Sequence, residues 1–159
     1  MKKSIHLLVP IVFALALAGS AQAGNATWQN VGTNFNSTTA GDWVGGTGVN
    51  GAPAPSTGNN GDVAVFATPT GAIAQPNLTA NLGIKGLSFS TTTASGYDLT
   101  STGGFTLTIA NAGIAALNTS GTNTIDTNLA FTSIGQTITQ TGVGGGLELT
   151  GIFPHQVST

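Results

Sequence analysis

Apolar residues in the second half of this chain return at a regular interval, and that interval constrains the fold more than any other feature. Phe89, Ile109, Leu129 and Leu149 stand twenty residues apart. Two residues before each lie Leu87, Leu107, Thr127 and Leu147, apolar except for Thr127, and Ile114 and Ile134 share the spacing. The positions fall in short alternating segments: Leu87-Ser88-Phe89, Phe105 to Ile109, Leu129-Ala130-Phe131, Thr137-Ile138-Thr139 and Leu147-Glu148-Leu149. Such alternation places apolar side chains on one face of a strand and Thr or Ser on the other. Short strands at a period near twenty predict a stacked coil, each turn returning the chain to the same face about 4.8 Å along an axis. Equivalent inward positions then form apolar ladders, and each coil pairs its backbone with its neighbours.

The expected fold is therefore all-β, a right-handed parallel β-helix (solenoid) with an N-terminal capping region. A β-sandwich, whose turns also recur every 8–12 residues or so, is the alternative. A transmembrane barrel needs strands of about 10 residues and aromatic girdles, and aromatic residues make up only 6% of this chain. No stretch beyond residue 23 shows a helical period, and 24 glycines argue against helix.

The chain opens with Met1-Lys2-Lys3-Ser4, an apolar run from Ile5 to Leu17, and Ala18-Gly19-Ser20-Ala21-Gln22-Ala23. A short positive start, an apolar core and small residues in an A-x-A pattern have the layout of a secretory signal, with cleavage expected after Ala23. The apolar run is too short for a spanning helix, which needs about 20 residues. The chain divides into a signal peptide over 1–23, a turn-rich capping region over 24–77, solenoid coils over 78–153 and a tail over 154–159. The capping region holds both tryptophans, Trp28 and Trp43, and a Pro/Gly/Asn-rich run from Gly51 to Gly61 that reads as loop.

Once Lys2 and Lys3 leave with the signal, Lys85 is the one Lys or Arg against 5 acids: Asp42, Asp62, Asp98, Asp126 and Glu148. Nucleic-acid binding requires clustered Lys and Arg to neutralise phosphates, so the composition excludes it. Attraction to an anionic membrane surface is excluded for the same reason. Charged residues are 5% of the chain, against about 25% in ordinary globular proteins. Thr, Ser and Asn must therefore carry its solubility. There is no cysteine, which rules out disulfide scaffolds and thiolate metal sites.

Taken in order, several segments resemble a known family: Trp28, Asp42-Trp43, Gly61-Asp62-Val63-Ala64-Val65-Phe66, Gly86 to Phe89, Tyr97-Asp98-Leu99, Leu107-Thr108-Ile109 and Leu147 to Gly151. This order is similar to the N-terminal part of bacterial autotransporter-associated β-strand repeat proteins. Those are large exported right-handed β-helix proteins, many ending in a PEP-CTERM sorting signal or an outer-membrane barrel. The resemblance covers most of Trp28 to Ile152. Relatives continue through many more coils, whereas this chain ends at Phe153 to Thr159 with no anchor, so a fragment of a longer protein is expected.

Candidate site chemistry is sparse. Gly46 to Gly51 has G-x-G-x-x-G spacing, but Ala52-Pro53-Ala54-Pro55 cannot begin the helix that a phosphate site needs. Gly142 to Gly146 reads as a flexible turn. His6 lies in the signal and His155 in the tail, so neither serves as the base beside a nucleophile. Asp126 and Glu148, roughly one coil apart, could be aligned by stacking as paired carboxylates; solvated surface acids are the plainer account. Asn59, Asn60 and Asp62 offer a weak calcium loop, also explained as a turn before a strand. Acceptor patterns for glycosylation at Asn25, Asn36, Asn77 and Asn118 are expected by chance in so Asn- and Thr-rich a chain. Trp28 and Trp43 either stack on sugars or cover the first coil.

No catalytic, cofactor-binding or metal residues are assigned, and no cofactor is expected. The implied function is a non-enzymatic exported cell-surface or passenger β-solenoid with a structural or adhesin-like role. The alternative is a polysaccharide-binding or polysaccharide-degrading β-helix protein. Partners would be glycans or other cell-surface components, and the expected location is the exterior, surface or periplasm of a Gram-negative-type bacterium.

Overall fold

The computed structural model describes residues 24–54, 61–132 and 136–153. The expected signal and tail, both histidines, Ile134, Asn59 and Asn60 lie outside the described residues. Among the described residues ten strands run in order: β1 (Asn25–Trp28), β2 (Trp43–Val44), β3 (Val63–Ala67), β4 (Leu82–Ser90), β5 (Asp98–Thr100), β6 (Thr106–Ala116), β7 (Thr122–Asp126), β8 (Asn128–Phe131), β9 (Ile138–Gln140) and β10 (Gly146–Leu149). Among the described residues only β1 and β2 pair antiparallel; the other strand pairings are parallel. Parallel pairing between successive segments removes the β-sandwich, whose sheets are antiparallel. The chain is a parallel β-solenoid of about 4 turns.

The stack has three faces. The first runs from β1 through β3 and the later halves of β4 and β6 to β9. The second joins the early halves of β4 and β6 to β8. The third consists of β5, β7 and β10. Strands β4 and β6 each turn a corner, and their register shifts between Ile84 and Gly86. At that corner Gly113 has φ +67 and a Cβ there would lie 2.3 Å from the Thr137 carbonyl oxygen, so only glycine fits. Strands β1 and β3, within 24–77, belong to the same sheet as the later coils.

Inward positions stack as the alternation requires. Ile84 lies beside Ile109, Leu107 beside Leu129, Ile125 beside Leu149, and the Phe66 and Phe89 rings stack at 5.3 Å. The repeat length differs from the twenty residues expected. Side-chain hydrogen bonds between adjacent coils join residues 22, 23, 24, 25 and 26 apart. Phe89 sits against Ala116 rather than Ile109, and Ile114 against Ile138. The twenty-residue spacing is incidental, because Phe89 lies on the first face and Ile109 on the second. Corner loops vary in length without disturbing the strands, so a solenoid imposes no strict sequence period.

The first coil is closed by aromatic packing. Strand β2 covers the edge of β1 and brings Trp43 within 4.8 Å of Trp28 and 5.3 Å of Phe35, ring centre to ring centre. Phe66 completes the group, 5.9 Å from Trp43. Tyr97 comes next, 4.9 Å from Phe66; its hydroxyl donates to the Ala67 carbonyl at 3.0 Å, and burial pushes its pKa up to about 12. The core thins towards the last coil, where Leu147 and Leu149 are only partly buried and Val143 and Ile152 are exposed.

Coils also meet at their corners. Asn118 is fully buried, and its Nδ2 donates to the carbonyls of Gly121 (2.8 Å) and, one coil on, Gly146 (3.1 Å). At another corner a Cβ on Gly96 would sit 1.8 Å from the Thr122 carbonyl oxygen. Backbone cannot yield there as a flexible side chain would. Gly96→Ala is therefore expected to cost about 1–3 kcal/mol in urea denaturation, the range for a forced overpacking. An unchanged midpoint would show that the two coils do not approach so closely.

Candidate functional site

The third face carries most of the acids. Strands β5, β7 and β10 point Leu99, Ile125 and Leu149 inward, so the residues between them point out. The register places Asp98 beside Thr124 and Thr124 beside Glu148. A second row runs from Asn34 through Asn77, Thr100 and Asp126 to Thr150. Within it Thr100 Oγ1 donates to Asn77 Oδ1 at 3.2 Å and Thr150 Oγ1 to Asp126 Oδ1 at 3.0 Å. Nearby, Thr79 Oγ1 donates to Asn34 Oδ1 at 2.7 Å, and Asn36 Oδ1 accepts from the Thr79 N–H at 2.7 Å. Outward polar groups are thus tied to one another along the axis.

This register bears on the paired-carboxylate alternative. Stacking does not align Asp126 with Glu148: Glu148 stands beside Thr124, and Asp126 beside Thr150. The coil is longer than the separation of the two acids, so they occupy different rows. Among the described residues no group of three His, Cys, Asp or Glu is placed to hold a metal ion.

Asp98 sits on this face with its carboxyl partly buried. Burial, and then the negative charge of Asp126, push its pKa above 3.8. Its Oδ1 is buried without a hydrogen-bond partner. A carboxyl whose folded pKa is raised opposes folding once pH exceeds its unfolded pKa. Asp98→Asn should therefore stabilise the chain by about 1 kcal/mol at pH 7 and by nothing measurable near pH 3. Equal effects of the substitution at both pH values would show that the charge on Asp98 is not what costs stability.

Asp62 is the opposite case. It is fully buried, and the alternation that turns Ala64 and Phe66 inward turns it inward as well. Its carboxylate accepts from the N–H groups of Gly24 (2.6 Å), Thr47 (2.6 Å) and Ala54 (2.9 Å) and from Thr47 Oγ1 (2.9 and 3.0 Å). Burial pushes its pKa up, but these hydrogen bonds together outweigh burial and hold it below 3.8. Both oxygens of Asp62 are engaged by backbone and Thr47 donors, which gives it a structural role at the start of β3. Asp62 pins the start of β1 to the segment that carries β2. Its phase with Val63-Ala64-Val65-Phe66 is the sequence signal for that role.

The tryptophans are settled by burial. Trp28 is 3% exposed and Trp43 2%, so neither offers a face to a sugar, and both cover the first coil. The Gly46 and Gly48 N–H groups donate to the carbonyls of Gly51 and Ala52. The chain then makes a single 3-10 turn at Val49–Gly51, too short to present a phosphate site. Gln140 Nε2 donates to the Gly142 and Gly145 carbonyls, organising the glycine-rich turn. Burial of Asn118 removes it as a glycan acceptor in the folded chain.

Among the described residues no helix is long and apolar enough to cross a membrane. No protein-family model, no curated protein and no solved structure matches the chain, so its fold and its polar face are the ground for any functional reading.

Proposed function

We propose that this chain is an exported β-solenoid of a bacterial cell surface or of a secreted passenger, with a structural or adhesive rather than catalytic role. The reading rests chiefly on the difference between the two ends of the stack. The first coil is closed by β2 and the Trp28, Phe35 and Trp43 aromatics. The last strands, β9 and β10, have no partner on their far sides among the described residues, and Ile138 in β9 is 45% exposed. A stack closed by aromatics at its first coil, with open strand edges at β9 and β10 among the described residues, suits a β-solenoid that offers backbone edges and polar rows for assembly or adhesion. The signal layout of Met1 to Ala23 and the similarity to autotransporter-associated β-strand repeats, with their PEP-CTERM or outer-membrane endings, support the same reading. A surface of Thr and Asn tied in rows suits display outside the cell, where a backbone ladder resists proteolysis.

Expression of the whole chain in a Gram-negative host tests it. The processed protein is expected in the envelope or medium, with a β-type circular dichroism spectrum and a protease-resistant core. Retention in the cytoplasm at full length would overturn it. The polysaccharide alternative has lost its tryptophans and would have to act through Asp98, Asp126 or Glu148. Polysaccharide turnover abolished by Asp126→Asn or Glu148→Gln would establish that alternative in its place.

A further inference from the structure

A fully buried carboxylate is costly unless a counter-charge or several donors hold it. Asp62 has donors, and burial and hydrogen bonds set its pKa; among the described residues no cation takes part. Beyond residue 23 the chain offers one Lys and no Arg, and that Lys85 bonds to Asp62 through its backbone, Lys85 N–H to the Asp62 carbonyl at 2.9 Å. Among the shortest contacts of the carboxylate is the Gly24 nitrogen, 2.6 Å from Oδ1. Gly24 directly follows Ala23, where the A-x-A pattern places signal cleavage. The cleavage pattern and the buried carboxylate thus mark the same nitrogen independently.

We propose that Asp62 is the binding site for the α-ammonium of Gly24, formed when the Ala23–Gly24 bond is cleaved. The inference rests on the export reading. A host peptidase of small-residue specificity adds water across the peptide bond, leaving a carboxylate on Ala23 and an ammonium on Gly24. In the uncut chain that nitrogen presents one N–H to Oδ1. After cleavage it presents three and a full positive charge, to a carboxylate that already holds Thr47 and Ala54. The site leaves little room for anything else. A Cβ on residue 24 would lie 3.0 Å from the Gly45 carbonyl oxygen and 3.4 Å from Asp62 Oδ1. Processing therefore completes the cap: the new ion pair locks the start of β1 to the segments around Thr47 and Ala54, and the aromatic lid on the first coil is tightened only in the processed protein.

The test compares a chain beginning at Gly24 with a free amine and the same chain preceded by Gln22-Ala23. The free-amine chain is expected to melt at least about 4 °C higher. Its α-amine should also react with a small amine-directed reagent at least tenfold more slowly than in the urea-unfolded chain. Asp62→Asn should abolish both differences. Should that variant fail to fold, the comparison of folded and unfolded wild type still decides the matter. Equal melting of the two forms, or an amine equally reactive folded and unfolded, would overturn the proposal. N-terminal sequencing of the exported product judges the export reading separately. A start at Gly24 supports it, a start elsewhere overturns the cleavage site that the proposal needs, and an uncut chain held in the cytoplasm overturns export itself without touching the Gly24–Asp62 pair measured on the two defined chains.

Discussion

Trp43→Ala is expected to cost about 4 kcal/mol and to loosen the first coil before the rest of the stack. Trp43 is 2% exposed and touches the rings of Trp28, Phe35 and Phe66. Truncating a buried Trp costs about 3–5 kcal/mol in lost transfer energy and cavity. The solenoid is quasi-one-dimensional, each coil contacting its neighbours, so the damage stays near the cap. Urea denaturation followed by fluorescence of the remaining Trp28 should show a transition well below that of the far-ultraviolet dichroism. Val44, its neighbour on β2, is 54% exposed, and Val44→Ala should change stability by less than about 0.5 kcal/mol. Similar losses from both substitutions would show that β2 does not seal the core.

Asp62→Ala has an expected cost of about 3–5 kcal/mol, from a different cause. It strands the Gly24, Thr47 and Ala54 donors without an acceptor inside the protein. It also detaches β1 from the β2 segment. Asp62→Asn keeps one acceptor oxygen and should lose less. The acid limb gives the sign. The folded pKa of Asp62 is depressed, so its contribution is fully present above the unfolded value near 3.8 and is lost as pH falls through the folded one. The wild-type chain should therefore weaken below about pH 4 in a way that Asp62→Asn does not. Parallel acid limbs for the two chains would mean that Asp62 is no better bound folded than unfolded.

Strand positions were more legible than their partners. Leu87 to Phe89, Leu129 to Phe131 and Leu147 to Leu149 all read as alternating segments, and all fall within strands. Strand β7 was less visible, because the inward-facing Asn123 interrupts its apolar phase and bonds instead to the Tyr97 N–H at 2.9 Å. The corner in β6 was hidden because Thr106 to Ala116 reads as one continuous run. The role of Trp28 and Trp43 was open between sugar face and coil cover, since composition does not say which surface a large aromatic meets. The carboxylates were ambiguous for a related reason. Asp62 and Asp98 have the same chemistry in sequence, yet hydrogen bonds hold one low while burial and Asp126 push the other up.

That this is a β protein of stacked coils is already written in the order of its residues. Period-two alternation of apolar with Thr or Ser dictates strands, and scarce charge with abundant Gly and Asn leaves turns rather than helices between them. The small-residue pattern before Gly24 is equally plain in the chain. Which residues meet between coils is a matter of three-dimensional packing alone. Corner loops of unequal length set the register, so Phe89 meets Ala116 and Glu148 meets Thr124. The short alternating strands with polar turns between them therefore pointed to the architecture, while the apparent interval of twenty did not match the contacts. Strand formation depends on residues close together in the chain, whereas register depends on backbone pairing and packing between residues a whole coil apart.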